Sequence, residues 1–190
     1  KARIIKMVDE KEKKILKKQL DREPRNIVEI AVRCSAGYPQ VIATAPILAD
    51  SDGIFPTTFW LTCPELNYRI AQLEDQGYVR KIKEEIDADP KLKEELMQAH
   101  QDYANYRVSL LTDEELNKLQ AKNQGQYRVI KESGVGGIMD FEGIKCLHTH
   151  YAHYLVNQNN PVGRLTEQLL RAEYVELNPE QCKEKCQLEG

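Results

Sequence analysis

The hydrophobic periodicity of this chain turns from strand-like to mostly helical at Thr62-Cys63-Pro64-Glu65, and that change limits what it can fold into. Before it, short segments alternate with a period of two: Val28, Ile30 and Val32 share one face of 27–33, a second strand is expected at 40–45, and a third at 55–61. After it, apolar residues recur three and four apart, as in Leu66, Ile70 and Leu73. Short strands with tight connections, followed by helices, predict an α+β domain with a small antiparallel sheet from the N-terminal half packed with helices.

The segments on either side fit this plan. Residues 9–21 read as a helix, with Asp9 and Glu12 in capping-box spacing, and Pro24 ends it. Turn chemistry lies at 34–39 (CSAGYP) and at Asp50-Ser51-Asp52-Gly53, while Pro56 puts the third strand at a strand start or sheet edge. Thr62 and Glu65 suggest a second capping box with Pro64 in the first turn, and Gly77 is a natural stop. Helices follow at 79–87, then from Asp89-Pro90 with Leu92, Leu96, Ala99, Tyr103, Tyr106 and Leu110 as its apolar stripe, then from Thr112 to Lys122. The charge of 79–122 predicts a helical arm outside the sheet. Beyond it are expected a strand at 127–130, a glycine turn at Gly134–Gly137, helices at 144–157 and 164–173, and a polar, frayed tail over 178–190. The whole, 1–190, is expected to be a single domain built of the helix 9–21, the sheet and first core helix 27–77, the arm 79–122, the helices of 127–173 and the tail.

Composition narrows function by exclusion. Lys and Arg number 27 against 30 Asp and Glu, so general affinity for nucleic-acid phosphates is disfavoured. Apolar runs fall short of the roughly 20 residues that span a bilayer, so no membrane is expected as a partner. Lys1–Met7 is too short and charged for a secretory leader, and five cysteines, an odd number spread along the chain, do not frame a disulfide scaffold. A cytoplasmic location is the expectation. The lysines of 9–21 read as a solvated helix face, and 79–122 offers itself to a protein partner.

Chemistry concentrates in 145–154, Lys-Cys-Leu-His-Thr-His-Tyr-Ala-His-Tyr, which holds three of the four histidines beside a cysteine. On a continuous helix Cys146, His150 and His153 share one face at i, i+4 and i+7, a spacing that suits a metal, whereas His148 points elsewhere unless the helix begins late. Cys34 leaves the first strand and Cys63 the third, so both can emerge at one edge of the sheet. Cys63 also opens a helix, where the dipole tolerates a thiolate. His100 and Arg107 lie two turns apart on the long helix and read as a packed polar seam or, less simply, an anion site. Gly134–Gly137 lacks the spacing of a phosphate loop, and Cys182 and Cys186 have no second ligand pair nearby.

The order of the segments VRCSAGYPQVI, FPTTFWLTCPEL, AHQDYANYR, GVGGI, KCLHTHYAHYL and NPVG resembles the bacterial family known as domain of unknown function 501, over roughly residues 27–170. The resemblance implies one fold unit and places Cys34, Cys63, Cys146 and His148 in the family's motif segments; it carries no activity across. The leading expectation is a zinc site with Cys34, Cys63, Cys146 and one histidine as ligands, His150 by helix geometry or His148 by the resemblance. Its role is structural if the shell closes and hydrolytic if water takes one position, with His148 or His153 as acid, base or supporting partner. The alternatives are a metal-free thiol enzyme with Cys63 as nucleophile, a three-cysteine iron–sulfur protein, and a non-enzymatic interaction module.

Overall fold

Three strands, β1 (Ile27–Arg33), β2 (Pro39–Thr44) and β3 (Phe59–Leu61), form an antiparallel sheet in that order, in a computed structural model that describes residues 8–48, 53–173 and 179–188, the side chains of 179–182 excepted. The helices are α1 (Glu10–Leu20), α2 (Pro64–Asp75), α3 (Tyr78–Ala88), α4 (Pro90–Ser109), α5 (Asp113–Lys122), α6 (Gln124–Glu132), α7 (Leu147–Asn157), α8 (Pro161–Glu173) and α9 (Pro179–Cys186). A 3-10 turn, Val135–Gly137, separates α6 from the approach to α7. The fold is therefore α+β, as the change of period predicts.

Pleating divides the sheet cleanly. Val28, Val41, Ala43, Phe59 and Leu61 face a core shared with α2, α4 and α7, while Ile42 and Trp60, paired across β2 and β3, face the opposite side, where α1 lies. Tyr103 of α4 joins helix to sheet: its hydroxyl accepts from the backbone N–H of Thr58 at 2.6 Å and of Phe59 at 3.1 Å. Helices α7 and α8 dock flush because residue 163 is glycine; a Cβ there would fall inside the Tyr154 side chain and press on the His150 carbonyl.

Several elements differ from the sequence-based expectation, each for a local reason. Residues 127–130 are helical within α6, because Asn123 caps it by accepting from the Gln126 N–H at 3.0 Å and Ile130 supplies a helical buried position. Thr62 does not cap α2: its hydroxyl donates to the Pro39 carbonyl at 3.0 Å, which makes Cys63 the residue before the first turn. The long helix of the charged stretch 79–122 does not stand outside the core, since α4 buries Leu96, Ala99, His100, Tyr103, Ala104 and Arg107. Helix α8 begins at Pro161, three residues earlier than expected, with the Asn160 side chain accepting from the Gly163 N–H at 3.1 Å. Residues 179–186 are not frayed; they form α9 against α1 and α2, with Cys186 buried and accepting from Gln19 Nε2. The Asp50-Ser51-Asp52 turn and the Cys182 side chain lie outside the described residues.

Candidate metal centre

Helix α7 begins at Leu147, after Cys146, whose backbone is extended at φ −153° and ψ 154°. That late start decides which residues meet. Cys146 leaves the helical face it would have shared with His150 and His153, and the side chain of His148, in the first turn, swings toward α2. There it meets Glu74: His148 Nδ1 lies 3.1 Å from Glu74 Oε1, and His148 Nε2 lies 3.0 Å from the Asn67 carbonyl one face-length up the same helix. The ligand atoms of Glu74, Cys146 and His148 all fall within 4.8 Å of one another. Among the described residues this is the only group of three or more Cys, His, Asp or Glu so disposed.

Glu74 completes the corner in a second way. The N-terminus of α7 lacks a side-chain cap of its own, and the Leu147 N–H donates to Glu74 Oε1 at 2.6 Å. A carboxylate in the last turn of α2 is poorly placed for its own helix dipole but well placed for that of α7. Burial alone would push the Glu74 carboxyl up; the hydrogen bond and charge of His148, with the N–H groups of Leu147 and His148, outweigh it and hold the group below the usual carboxylate range. For His148 burial works downward, and the Glu74 carboxylate and Asn67 carbonyl overcome it, raising the imidazole. Cys146 Sγ lies 2.6 Å from Thr149 Oγ1, one turn along α7. Both Glu74 and His148 keep about a quarter of their side-chain surface, 25% and 28%, so the corner is open to solvent.

The other residues singled out from the sequence go elsewhere. Cys34 sits at the β1–β2 turn, where its N–H donates to the Tyr38 carbonyl at 3.0 Å, and Cys63 is buried before α2. β2 starts between them, so both do leave the same end of the sheet, but neither joins Cys146 in a ligand group, and the three-thiol centre is not formed. His150 is likewise not a ligand there. It lies fully buried with His100 and His153: the His100 and His150 rings stand 5.5 Å apart, and His153 packs edge-on to Tyr103 at 5.1 Å. The Asn160 amide nitrogen lies 3.1 Å from Nδ1 of both His150 and His153. Burial pushes His100 down to about 4 and His150 and His153 down to about 3, so all three are neutral at pH 7. His150 Nε2 has no hydrogen-bond partner among the described residues. The trio is neutral, fully buried and packed against Phe59 and Tyr103, which is the setting of a packing layer, and His153 presents no exposed imidazole for the acid–base role expected of it.

Arg107 is also structural. Its buried guanidinium donates to the carbonyls of Ile130 (2.7 Å), Pro56 (3.0 Å), Gly134 (3.4 Å), Val129 (3.4 Å) and Ser133, and its isolation from solvent lowers it to about 10. Five carbonyls saturate the fork and leave nothing for an anion. Gly134–Gly137 is a plain turn, with φ of +67° at Gly136 and +83° at Gly137, and the Gly136 carbonyl accepts from Lys145 Nζ at 2.7 Å.

Glu74 was not singled out in the sequence. The signal that points to it is an electrostatic anomaly: α2 ends on Glu74 and Asp75 with no basic residue in its last turn, the reverse of what its dipole favours. Such an acid needs a positive partner from another element, and His148 with the start of α7 provides it.

A family model described as "Protein of unknown function (DUF501)" matches residues 30–168, well over half of the chain. No curated protein and no solved structure matches. No helix among the described residues is long and apolar enough to cross a membrane.

Proposed function

The chain belongs to the DUF501 family, and we propose that within it this protein binds a divalent metal, zinc by the chemistry of its donors, at Glu74, Cys146 and His148. The observation that carries the reading is the meeting of one carboxylate, one sulfur and one imidazole nitrogen within 4.8 Å on a half-open corner. This mixed O, S, N donor set is one zinc accepts, and three protein ligands leave a fourth position for water, the arrangement of hydrolytic rather than structural sites. The surroundings suit the role. With Nδ1 toward the metal, His148 Nε2–H donates to the Asn67 carbonyl, the outer hydrogen bond that fixes tautomer and ring orientation in metal-ligating histidines. The Thr149 hydroxyl supports the sulfur.

One observation favours a second reading. Both His148 nitrogens face oxygen acceptors, as an imidazolium would require, and an imidazolium beside Cys146 is the setting of a metal-free reactive thiol. Zinc titration into metal-stripped full-length protein separates the two. The metal reading expects one equivalent bound, with Cys146→Ser, His148→Ala and Glu74→Gln each weakening it by at least about tenfold, and Cys34→Ser, Cys63→Ser and His150→Leu leaving it unchanged. Absence of zinc uptake together with rapid alkylation of Cys146 would replace it with the thiol reading; uptake that survives Cys146→Ser would remove the site altogether.

A further inference from the structure

The face of the sheet turned away from α7 carries a cavity that the metal corner does not use. It measures about 580 Å³ and opens between the end of α1, the connection Arg22–Asn26 and the outward face of β2 and β3. Its floor is apolar: Ile42 of β2 beside Trp60 of β3, with the Phe55 ring stacked on Trp60 at 5.2 Å and nearly parallel, at 14°. The indole N–H is already satisfied by the Thr57 carbonyl at 3.2 Å, so Trp60 offers the cavity a ring surface rather than a donor. The rim is cationic. Arg22 places its guanidinium carbon 5.1 Å from the Trp60 ring centroid, and Arg25, exposed beside it, makes no ion pair among the described residues. Glu23, the one carboxylate among the described residues that line the cavity, is paired with Lys17.

Each of these features has a chemical consequence. Two stacked, nearly parallel aromatic rings in an apolar floor favour continuation of the stack by a flat ring over a branched aliphatic group, because stacking adds to burial. Two guanidiniums at the rim favour an anion with several oxygens in a fork, phosphate above all, since each can bind it through two parallel N–H bonds. A volume near 580 Å³ lies within the range of small-molecule pockets and leaves room for a base, a sugar and one phosphate together. The overall charge of −3 argues against a polyanion tracking across the surface, and so for a free ligand of limited charge.

We propose that this cavity is a binding site for a mononucleotide, with the base on the Phe55–Trp60 floor and the phosphate between Arg22 and Arg25. The site lies on the other side of the sheet from Glu74, Cys146 and His148, so it stands or falls independently of the metal.

The chain has a single tryptophan, and it is Trp60, so its emission reports on the cavity without background. Adenosine monophosphate is titrated into the full chain, with tryptophan emission and heat of binding read together, and with adenosine and inorganic phosphate as separate ligands. The expected result is saturable quenching and matching heat for the nucleotide, with adenosine and phosphate each binding at least about tenfold more weakly. Arg22→Gln and Arg25→Gln, both at exposed positions, should each weaken the nucleotide by about tenfold without changing the melting temperature. Cys146→Ser should bind it as the parent does. Absence of heat and quenching up to roughly 5 mM nucleotide overturns the proposal. So does binding that both arginine variants retain in full, or inorganic phosphate binding as tightly as the nucleotide, which would reduce the site to an anion contact.

Discussion

His148 and His153 sit on the same short helix, five residues apart, and the fold treats them in opposite ways. At the N-terminal corner of α7, His148 is ringed by acceptors, a carboxylate and a carbonyl, and its affinity for a proton rises. On the inner face, His150 and His153 meet each other, His100, Phe59 and Tyr103, and their affinity falls. Residue type and neighbouring sequence are shared, so what differs is the number of oxygen acceptors within reach against the water removed. The corner keeps charge and solvent, which are what ligand chemistry uses. The inner layer keeps neither, and holds the helices to the sheet instead.

The largest expected effect breaks the inner layer with acid. A histidine whose folded pKa lies below its ordinary 6.5 contributes nothing adverse above that value and costs stability as pH falls from it toward the folded pKa. The window therefore runs from 6.5 down to about 4 for His100 and about 3 for His150 and His153. The Gly143 carbonyl and, after it, the charge of Asp140 oppose the His100 shift only in part. At about 1.4 kcal/mol per pH unit for each group, the trio removes about 4 kcal/mol per unit below pH 6, a large share of the stability of an ordinary domain by about pH 5. Denaturant midpoints measured at pH 7, 6 and 5 test this; a midpoint that stays level to pH 5 would show that the layer is open to water.

Next in size is the loss of Arg107, which closes the same layer from the side of α6 and lies 5.8 Å from the Tyr103 ring. Arg107→Met keeps the bulk of the stem and removes every donor, stranding five carbonyls, and should destabilise the fold by at least about 3 kcal/mol. Arg107→Lys should recover less than half of that, because three donors on one point cannot reach acceptors spread from Pro56 to Ser133. Calorimetric melting of the two variants beside the parent measures both, and equal melting temperatures for lysine and arginine would show that charge, not the fork, is what counts.

How far each region was legible follows from the range of the forces that make it. The sheet was readable because alternation in 27–33 and 40–45 is a local consequence of one buried face, and the capping boxes at Asp9 and Thr112 are four-residue events. The strand expected at 127–130 failed because four residues rich in β-formers cannot outweigh a capped helix around them. The candidate centre was half legible. Cys146 and His148 stood out by residue type, but their partner depended on where α7 starts, and a shift of three residues exchanged His150 and His153 for Glu74. Cys34 and Cys63 reached the same end of the sheet as inferred, yet being at one end is weaker than pointing at one ion. Arg107 and His100 were placed together correctly on α4, and nothing in the sequence said that carbonyl oxygens, which every residue carries, would be their partners.

The smallest effects at neutral pH, and the ones that separate the two environments most sharply, come from exchanging one histidine of each kind. His150→Leu removes an acceptor for Asn160, whose amide still reaches His153, and it also removes the buried Nε2 that has no partner among the described residues. These nearly cancel, so the variant should lie within about 1 kcal/mol of the parent at pH 7. At pH 5 it has one fewer depressed histidine to keep neutral and should be the more stable of the two by about 2 kcal/mol. His148→Gln behaves in the reverse sense. Its folded pKa is raised from 6.5, so the parent's advantage is present below that value and fades as pH climbs through the folded pKa; the lowered Glu74 makes it fade again as pH falls through the folded pKa of that carboxyl. Both side chains are partly solvated, so the advantage at its height is only about 1 kcal/mol. Stability plotted against pH for parent, His150→Leu and His148→Gln should therefore show one variant gaining on the parent in mild acid while the other falls behind it. If both curves move the same way, the corner and the inner layer are one electrostatic environment, and the separation between a ligand-capable histidine and a packed one is lost.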